Sequence, residues 1–174
     1  MVRELLERLR ANDVRAISRL MTDVENNVQS EDMNDLLYAH SLKSVSIGVT
    51  GPPGAGKSTL INQLIDQFRK NDKTIGVVTV DPTSPFSGGA LLGDRIRMNA
   101  LSNSNFFMRS LASRGSGKEV SDRLGEAISV CQAAGFDLIF AETSGIGQAD
   151  DAITSLVDHT FYVMTAEYGA HTQL

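Results

Sequence analysis

The sequence predicts an α/β fold, a mainly parallel sheet with helices on both faces, preceded by an N-terminal helical extension. Three observations predict it. The near-continuous apolar runs Val45–Thr50, Thr74–Val80 and Leu138–Glu142 have the composition of strands buried on both faces. Segments with apolar residues three and four apart lie between them, as crossover helices require. Glycine-rich turns punctuate the junctions.

The helical rhythm begins at once, with Leu5, Leu6 and Leu9, then Val14, Ile17, Leu20, Met21 and Val24. Asn12-Asp13 divides two helices, and Asp13 stands where it can cap the second. Ser30, Met33, Leu36, Leu37 and His40 suggest a third. Residues 1–42 form the extension, and residues 43–174 form the main domain. A bundle of about 40 residues is marginal alone, so the apolar stripe of the extension is expected to pack on that domain.

Within the main domain, Leu60, Ile61, Leu64, Ile65 and Phe68 mark a helix over Ser58–Lys70. A second helix is predicted over Lys118–Ala134, stopped by Gly135. Thr160–Thr165 reads as a fourth strand, with Phe161 and Tyr162 as core candidates. Gly88-Gly89 and Ser113–Gly117 mark loops. The sequence stops nine residues after that fourth strand, which would leave an open sheet edge, so the domain is expected to be incomplete at its C-terminus.

Composition narrows the function classes. Hydrophobic residues are 41% and charged residues 21%, ordinary for a soluble globular domain. A net charge of −5 argues against nucleic-acid and acidic-membrane partners. No apolar run approaches the length of about 20 residues needed to span a bilayer. The start Met1-Val2-Arg3-Glu4 lacks the apolar core of a signal peptide, and the cytoplasm is the expected compartment. The single cysteine, Cys131, reads as a small buried hydrophobe on a helix face.

One motif carries chemistry. Gly51-Pro52-Pro53-Gly54-Ala55-Gly56-Lys57-Ser58 fits G-x-x-x-x-G-K-[ST] and lies between a predicted strand and a predicted helix. In such a P-loop the glycines let backbone N–H groups turn toward phosphate oxygens, and the helix N-terminus adds partial positive charge. Lys57 would reach the β- and γ-phosphates, Ser58 would offer its hydroxyl to Mg²⁺, and Thr59 would support the turn.

Phosphoryl chemistry is largely positioning and charge neutralisation, so carboxylates should hold the magnesium. Asp81 ends the second predicted strand, Glu142 ends the third, and Asp94 follows Gly-Gly-Ala-Leu-Leu-Gly in a loop. Ligands gather at the carboxyl ends of strands in open α/β sheets, which favours Asp81 and Glu142. Glu142-Thr-Ser-Gly145 has the form of a switch segment in which Gly145 could donate its N–H to a γ-phosphate. Gln148 could orient water or contact a partner. Asp137 sits at the wrong end of its strand and should be structural, and Asp150 and Asp151 should cap a helix. Arg95, Arg97, Arg109, Arg114 and Lys118 read mainly as a solvated basic face. His40, His159 and His171 have no metal-ligand spacing.

These segments resemble the MeaB/ArgK family. The resemblance rests on Gly51–Leu60, Val80-Asp-Pro-Thr83, Gly88–Met98, Met108–Arg114, Ala134–Asp137 and Glu142–Gln148, in that order. Gly88–Asn99 and Tyr162–Gly169 look most like the GTPase domain of fused isobutyryl-CoA mutases, and the N-terminal helices look more like the stand-alone form. The resemblance implies a P-loop GTPase of the metallochaperone type, binding GTP or GDP with Mg²⁺ and assisting an adenosylcobalamin-dependent acyl-CoA mutase. It implies that Lys57 and Ser58 serve the P-loop and that Asp81, Asp94 and Glu142 serve the magnesium site. It further implies that Thr165–Leu174 begins a switch sensing the mutase and that the full-length protein is a homodimer. The guanine-specifying Asn-Lys-x-Asp element does not occur in these 174 residues, so guanine preference rests on the resemblance. The alternatives are a P-loop ATPase or small-molecule kinase, or a nucleotide-binding fragment without turnover.

Overall fold

The computed structural model describes residues 7–9, 11, 13–26, 28, 44–81, 105–112, 117–143 and 148–166, with backbone alone at 81, 112, 117–121 and 148–151. The described elements run α1 Val14–Glu25, β1 Val45–Thr50, α2 Lys57–Arg69, β2 Ile75–Asp81 and β3 Phe106–Ala112. They continue with α3 Gly117–Ala133, β4 Leu138–Glu142, α4 Gln148–Leu156 and β5 His159–Tyr162. The five strands form one sheet in the order β3-β2-β4-β1-β5. Every pairing is parallel, and the predicted α/β architecture is what the chain adopts.

Strand pleating divides the core in two. Ile47 and Val49 of β1, Ile75 and Val77 of β2, and Leu138 and Phe140 of β4 face α2, packing with Ile61 and Ile65. The alternate residues, among them Val78, Val80, Phe107, Leu111, Ile139 and Ala141, face the other way and meet α1, α3 and Ile153 of α4. Helices therefore cover both faces, as a parallel sheet requires.

The stripe of α1 joins the second of these clusters through Ala16, Ile17, Leu20, Met21 and Val24. Asp13 caps this helix, its Oδ1 accepting from the N–H groups of Arg15 at 2.9 Å and Ala16 at 3.3 Å. Arg8 pairs with the same carboxylate at 2.8 Å. At the amino ends of the strands, Asp137 Oδ2 accepts from Thr74 N–H and Thr74 Oγ1, each at 2.9 Å, and Asp137 N–H donates back to Thr74 Oγ1. Asp158 and Ser46 repeat the clasp. Asp137 is thus the structural residue its position suggested. Cys131 is fully buried, and burial pushes its thiol up to about 12, which leaves no reactive thiolate.

Three expectations change. Phe106–Ala112 is a strand where the sequence suggested part of a basic face, because its apolar residues are interrupted by Arg109 and Ser110. Arg109 is only partly exposed: it is an ion-pair partner of Glu25 on α1, and also donates to Thr22 at 3.3 Å. Phe161 and Tyr162 are not core residues, being 44% and 60% exposed on the edge strand β5. The predicted helix at Ser30–His40, the loop at Gly88-Gly89, His40, His171, Arg95, Arg97, Arg114 and most of Thr165–Leu174 lie outside the described residues. No helix among the described residues is long and apolar enough to cross a membrane.

Candidate functional site

The site begins where β1 ends. Thr50 closes the strand, residues 51–56 turn, and α2 starts at Lys57. The turn needs left-handed backbone at Gly51 (φ +136°), Gly54 (φ +78°) and Gly56 (φ +93°). Gly51 is also sterically obligatory, since a Cβ there would stand 2.1 Å from the carbonyl oxygen of Val163. A Cβ at Gly54 or Gly56 would meet nothing within 4 Å, so the loop is open on those sides. Gly56 caps α2 without a side-chain hydrogen bond. The first-turn N–H groups of a helix lack intrahelical partners, so this end is suited to an anion.

Lys57 is buried, and its Nζ donates to the carbonyls of Gly51 at 2.8 Å and Pro52 at 3.1 Å. The ammonium is thus held within the loop it belongs to. Ala55 N–H donates to Pro52 O at 3.2 Å, tightening the same turn. Pro53, Gly54 and Thr59 are exposed.

β4 lies beside β1 with Val49 opposite Glu142, which brings the end of β4 to the start of α2. Ser58 Oγ donates to Glu142 Oε1 at 2.7 Å. Asp81 ends β2 on the same carboxyl edge, Thr79 being opposite Glu142. The Asp81 carboxylate, Asp94, Gly145 and the side chains of Gln148, Asp150 and Asp151 lie outside the described residues. Among the described residues no three His, Cys, Asp or Glu side chains form a metal cluster. Mg²⁺ does not require one, since it keeps several waters and is usually bound through one or two carboxylates together with phosphates, further protein groups acting through those waters. A serine hydroxyl and a carboxylate touching at a helix N-terminus fit that demand.

Two residues here have no role of their own in the sequence reading, although Thr143 lies in the segment Glu142–Gly145 and Thr50 ends the first strand. Thr143 Oγ1 donates to Thr50 Oγ1 at 3.0 Å, both side chains being buried. The signal available was position alone: one threonine directly precedes Gly51 and the other directly follows Glu142.

The profile of the family described as methylmalonyl Co-A mutase-associated GTPase MeaB matches residues 17–174. The chain belongs to the MeaB family. Among its relatives, the fused isobutyryl-CoA mutase of Cupriavidus metallidurans is 47% identical over 174 residues, covering 97% of this chain and 16% of that protein. GTPase ArgK of Escherichia coli is 34% identical over 161 residues, covering 89% of this chain and 49% of that protein. The MeaB-family chain therefore spans about half of a stand-alone relative and a sixth of the fused one. The crystal structure of an LAO/AO transport system kinase superposes with a TM-score of 0.70 at 24% identity, covering 93% of this chain and 49% of that one. The GDP complex of the signal recognition particle 54 kDa protein from Aeropyrum pernix K1 gives 0.52 at 14%, over 92% of this chain and 44% of that one. Both likenesses establish the P-loop fold of the MeaB-family chain.

Proposed function

We propose that this MeaB-family chain binds GTP with Mg²⁺ at residues 51–59, hydrolyses it, and serves as a metallochaperone for an adenosylcobalamin-dependent acyl-CoA mutase. The observation that carries the reading is the Ser58–Glu142 contact, which joins the P-loop helix to the end of the neighbouring strand at 2.7 Å.

The residues divide the work. Backbone N–H groups from Gly51, Pro53's successors Gly54, Ala55 and Gly56, and the first turn at Lys57, Ser58 and Thr59 bind phosphate oxygens. Pro52 shapes the turn through its carbonyl. Lys57 exchanges its loop carbonyls for the β- and γ-phosphates. Ser58 and Glu142, with Asp81 and Asp94, hold the magnesium, which when bound neutralises charge on the β- and γ-phosphates. Gly145 offers its N–H to the γ-phosphate, a contact present only before hydrolysis.

The base and the partner rest on the relatives. Several are GTPases by name, and the matching family is described as associated with methylmalonyl-CoA mutase. Relatives named fused isobutyryl-CoA mutase support a mutase of the same broad type. A cytoplasmic homodimer is the form proposed for the full-length protein.

Calorimetric titration with GTP and ATP in magnesium buffer tests the reading, with GTP hydrolysis followed with and without an acyl-CoA mutase. GTP should bind more tightly than ATP, and Lys57→Ala should weaken binding about tenfold to a hundredfold through loss of charge-assisted hydrogen bonds. ATP preference, or an unchanged affinity in the Lys57 variant, rejects the assignment.

A further inference from the structure

Glu142 is the last residue of β4, so the carboxylate that meets Ser58 sits where the backbone ladder ends. Strand ends are the least restrained part of a sheet. Placing a carboxylate accurately there needs a restraint beyond the ladder.

The structure supplies one on the other side of the sheet. Glu142 follows the pleat of Leu138 and Phe140, toward α2. Thr143 follows Ile139 and Ala141, toward the opposite face. Its N–H donates to Val49 O at 3.2 Å, the bond that closes the last pair of the ladder, Val49 with Glu142. Its hydroxyl donates to Thr50 Oγ1 at 3.0 Å, with Thr143 1% and Thr50 3% exposed. Thr50 is in turn held by the residue after β5, its carbonyl accepting from Val163 N–H at 2.8 Å. The next residue is Gly51, whose carbonyl accepts from Lys57 Nζ. One buried hydroxyl bond thus joins the base of the P-loop to the residue after the acid.

We infer that Thr143 is a positioning residue for the magnesium site, its bond to Thr50 setting where the Glu142 carboxylate stands relative to Ser58. The inference rests on the reading of this site as one for magnesium and a nucleotide. Thr143 touches neither ligand; it acts through Glu142. Its hydroxyl, not its bulk, is the working part.

The test measures the magnesium concentration needed for half-maximal binding of a fluorescent GTP analogue by the 174-residue chain. Thr143→Val should raise that concentration about tenfold, the lower end of what loss of a group orienting a metal ligand costs. Affinity at saturating magnesium should stay within about twofold, because the phosphate cradle itself is intact. Thr143→Ser keeps the hydroxyl and should match the parent. The double variant Thr50→Val/Thr143→Val replaces both partners with apolar groups of similar shape, so it should fold even if the single valine variant does not. It should show the same magnesium shift. A parent-like magnesium requirement in the valine variants, or an equal shift in the serine variant, overturns the inference while leaving the site reading intact. A parent chain whose nucleotide binding ignores magnesium overturns both.

Discussion

Ser58 Oγ donates a 2.7 Å hydrogen bond to Oε1 of Glu142, joining residues 84 positions apart in the sequence. The contact exists because β4 inserts between β2 and β1, so the strand carrying the acid lies directly beside the strand that launches the P-loop. A carboxylate there can serve a metal ion without reaching the phosphates itself. Glu142→Ala should therefore lower magnesium-dependent GTP hydrolysis about 10–100-fold, with a smaller effect on nucleotide affinity. Single-turnover kinetics beside equilibrium binding separates the two. A hydrolysis rate at the parent level would remove Glu142 from the site.

The two aspartate clasps at the amino ends of the strands predict the acid limb of the stability profile. Backbone hydrogen bonds from Thr74 to Asp137, and from Ser46 to Asp158, hold both carboxyls below the ordinary value of 3.8. A carboxyl depressed in the folded state binds a proton more readily when unfolded. Its contribution is complete above the ordinary value and is lost as pH falls through the lower folded value. Stability should decline below about pH 4. Asp137→Asn and Asp158→Asn keep an acceptor but remove the titration. Thermal melts at stepped pH should show each variant with a shallower decline than the parent.

Much of the fold was legible because its signals are local. Val45–Thr50 and Leu138–Glu142 are apolar runs bounded by turn residues, and both are strands with those limits. Asp13 preceding an apolar stripe announced the cap of α1. The P-loop was legible for the same reason, its glycines and lysine being consecutive. What failed was non-local. Nothing local marks Phe106–Ala112 as a strand or separates Arg109 from the basic stretch around it, because its partner Glu25 lies 84 residues away. Phe161 and Tyr162 have strand-like sequence, but nothing in their neighbours tells whether another element covers them. Thr50 and Thr143 looked ordinary until the order β4-β1 set them side by side.

The Arg109–Glu25 pair ties α1 to β3, with side-chain exposures of 21% and 25%. Removing one partner of a largely buried pair leaves the other charge desolvated without compensation. Residual solvent access moderates the penalty, so Glu25→Ala should destabilise the chain by about 1–2 kcal/mol. Replacing both, as Glu25→Ala/Arg109→Met, should recover part of that loss, since no charge is then stranded. Denaturant melts of the two single variants and the double give the coupling directly. Strict additivity would mean that the pair contributes nothing beyond its separate contacts.

Two glycines of the same loop should respond differently to one methyl group. At Gly51 the backbone has φ +136°, and an added Cβ would stand 2.1 Å from the carbonyl oxygen of Val163, a residue tied to β1 through its own N–H and Thr50 O. Neither the loop nor the strand can yield without breaking hydrogen bonds, so Gly51→Ala should cost at least about 3 kcal/mol. At Gly54 the backbone is also left-handed, but a Cβ meets nothing within 4 Å. Only the conformational penalty remains, about 1–2 kcal/mol. Chemical denaturation should therefore rank the parent above Gly54→Ala and Gly54→Ala well above Gly51→Ala. Equal losses at the two positions would show that the close approach of Val163 to the P-loop does not constrain the fold.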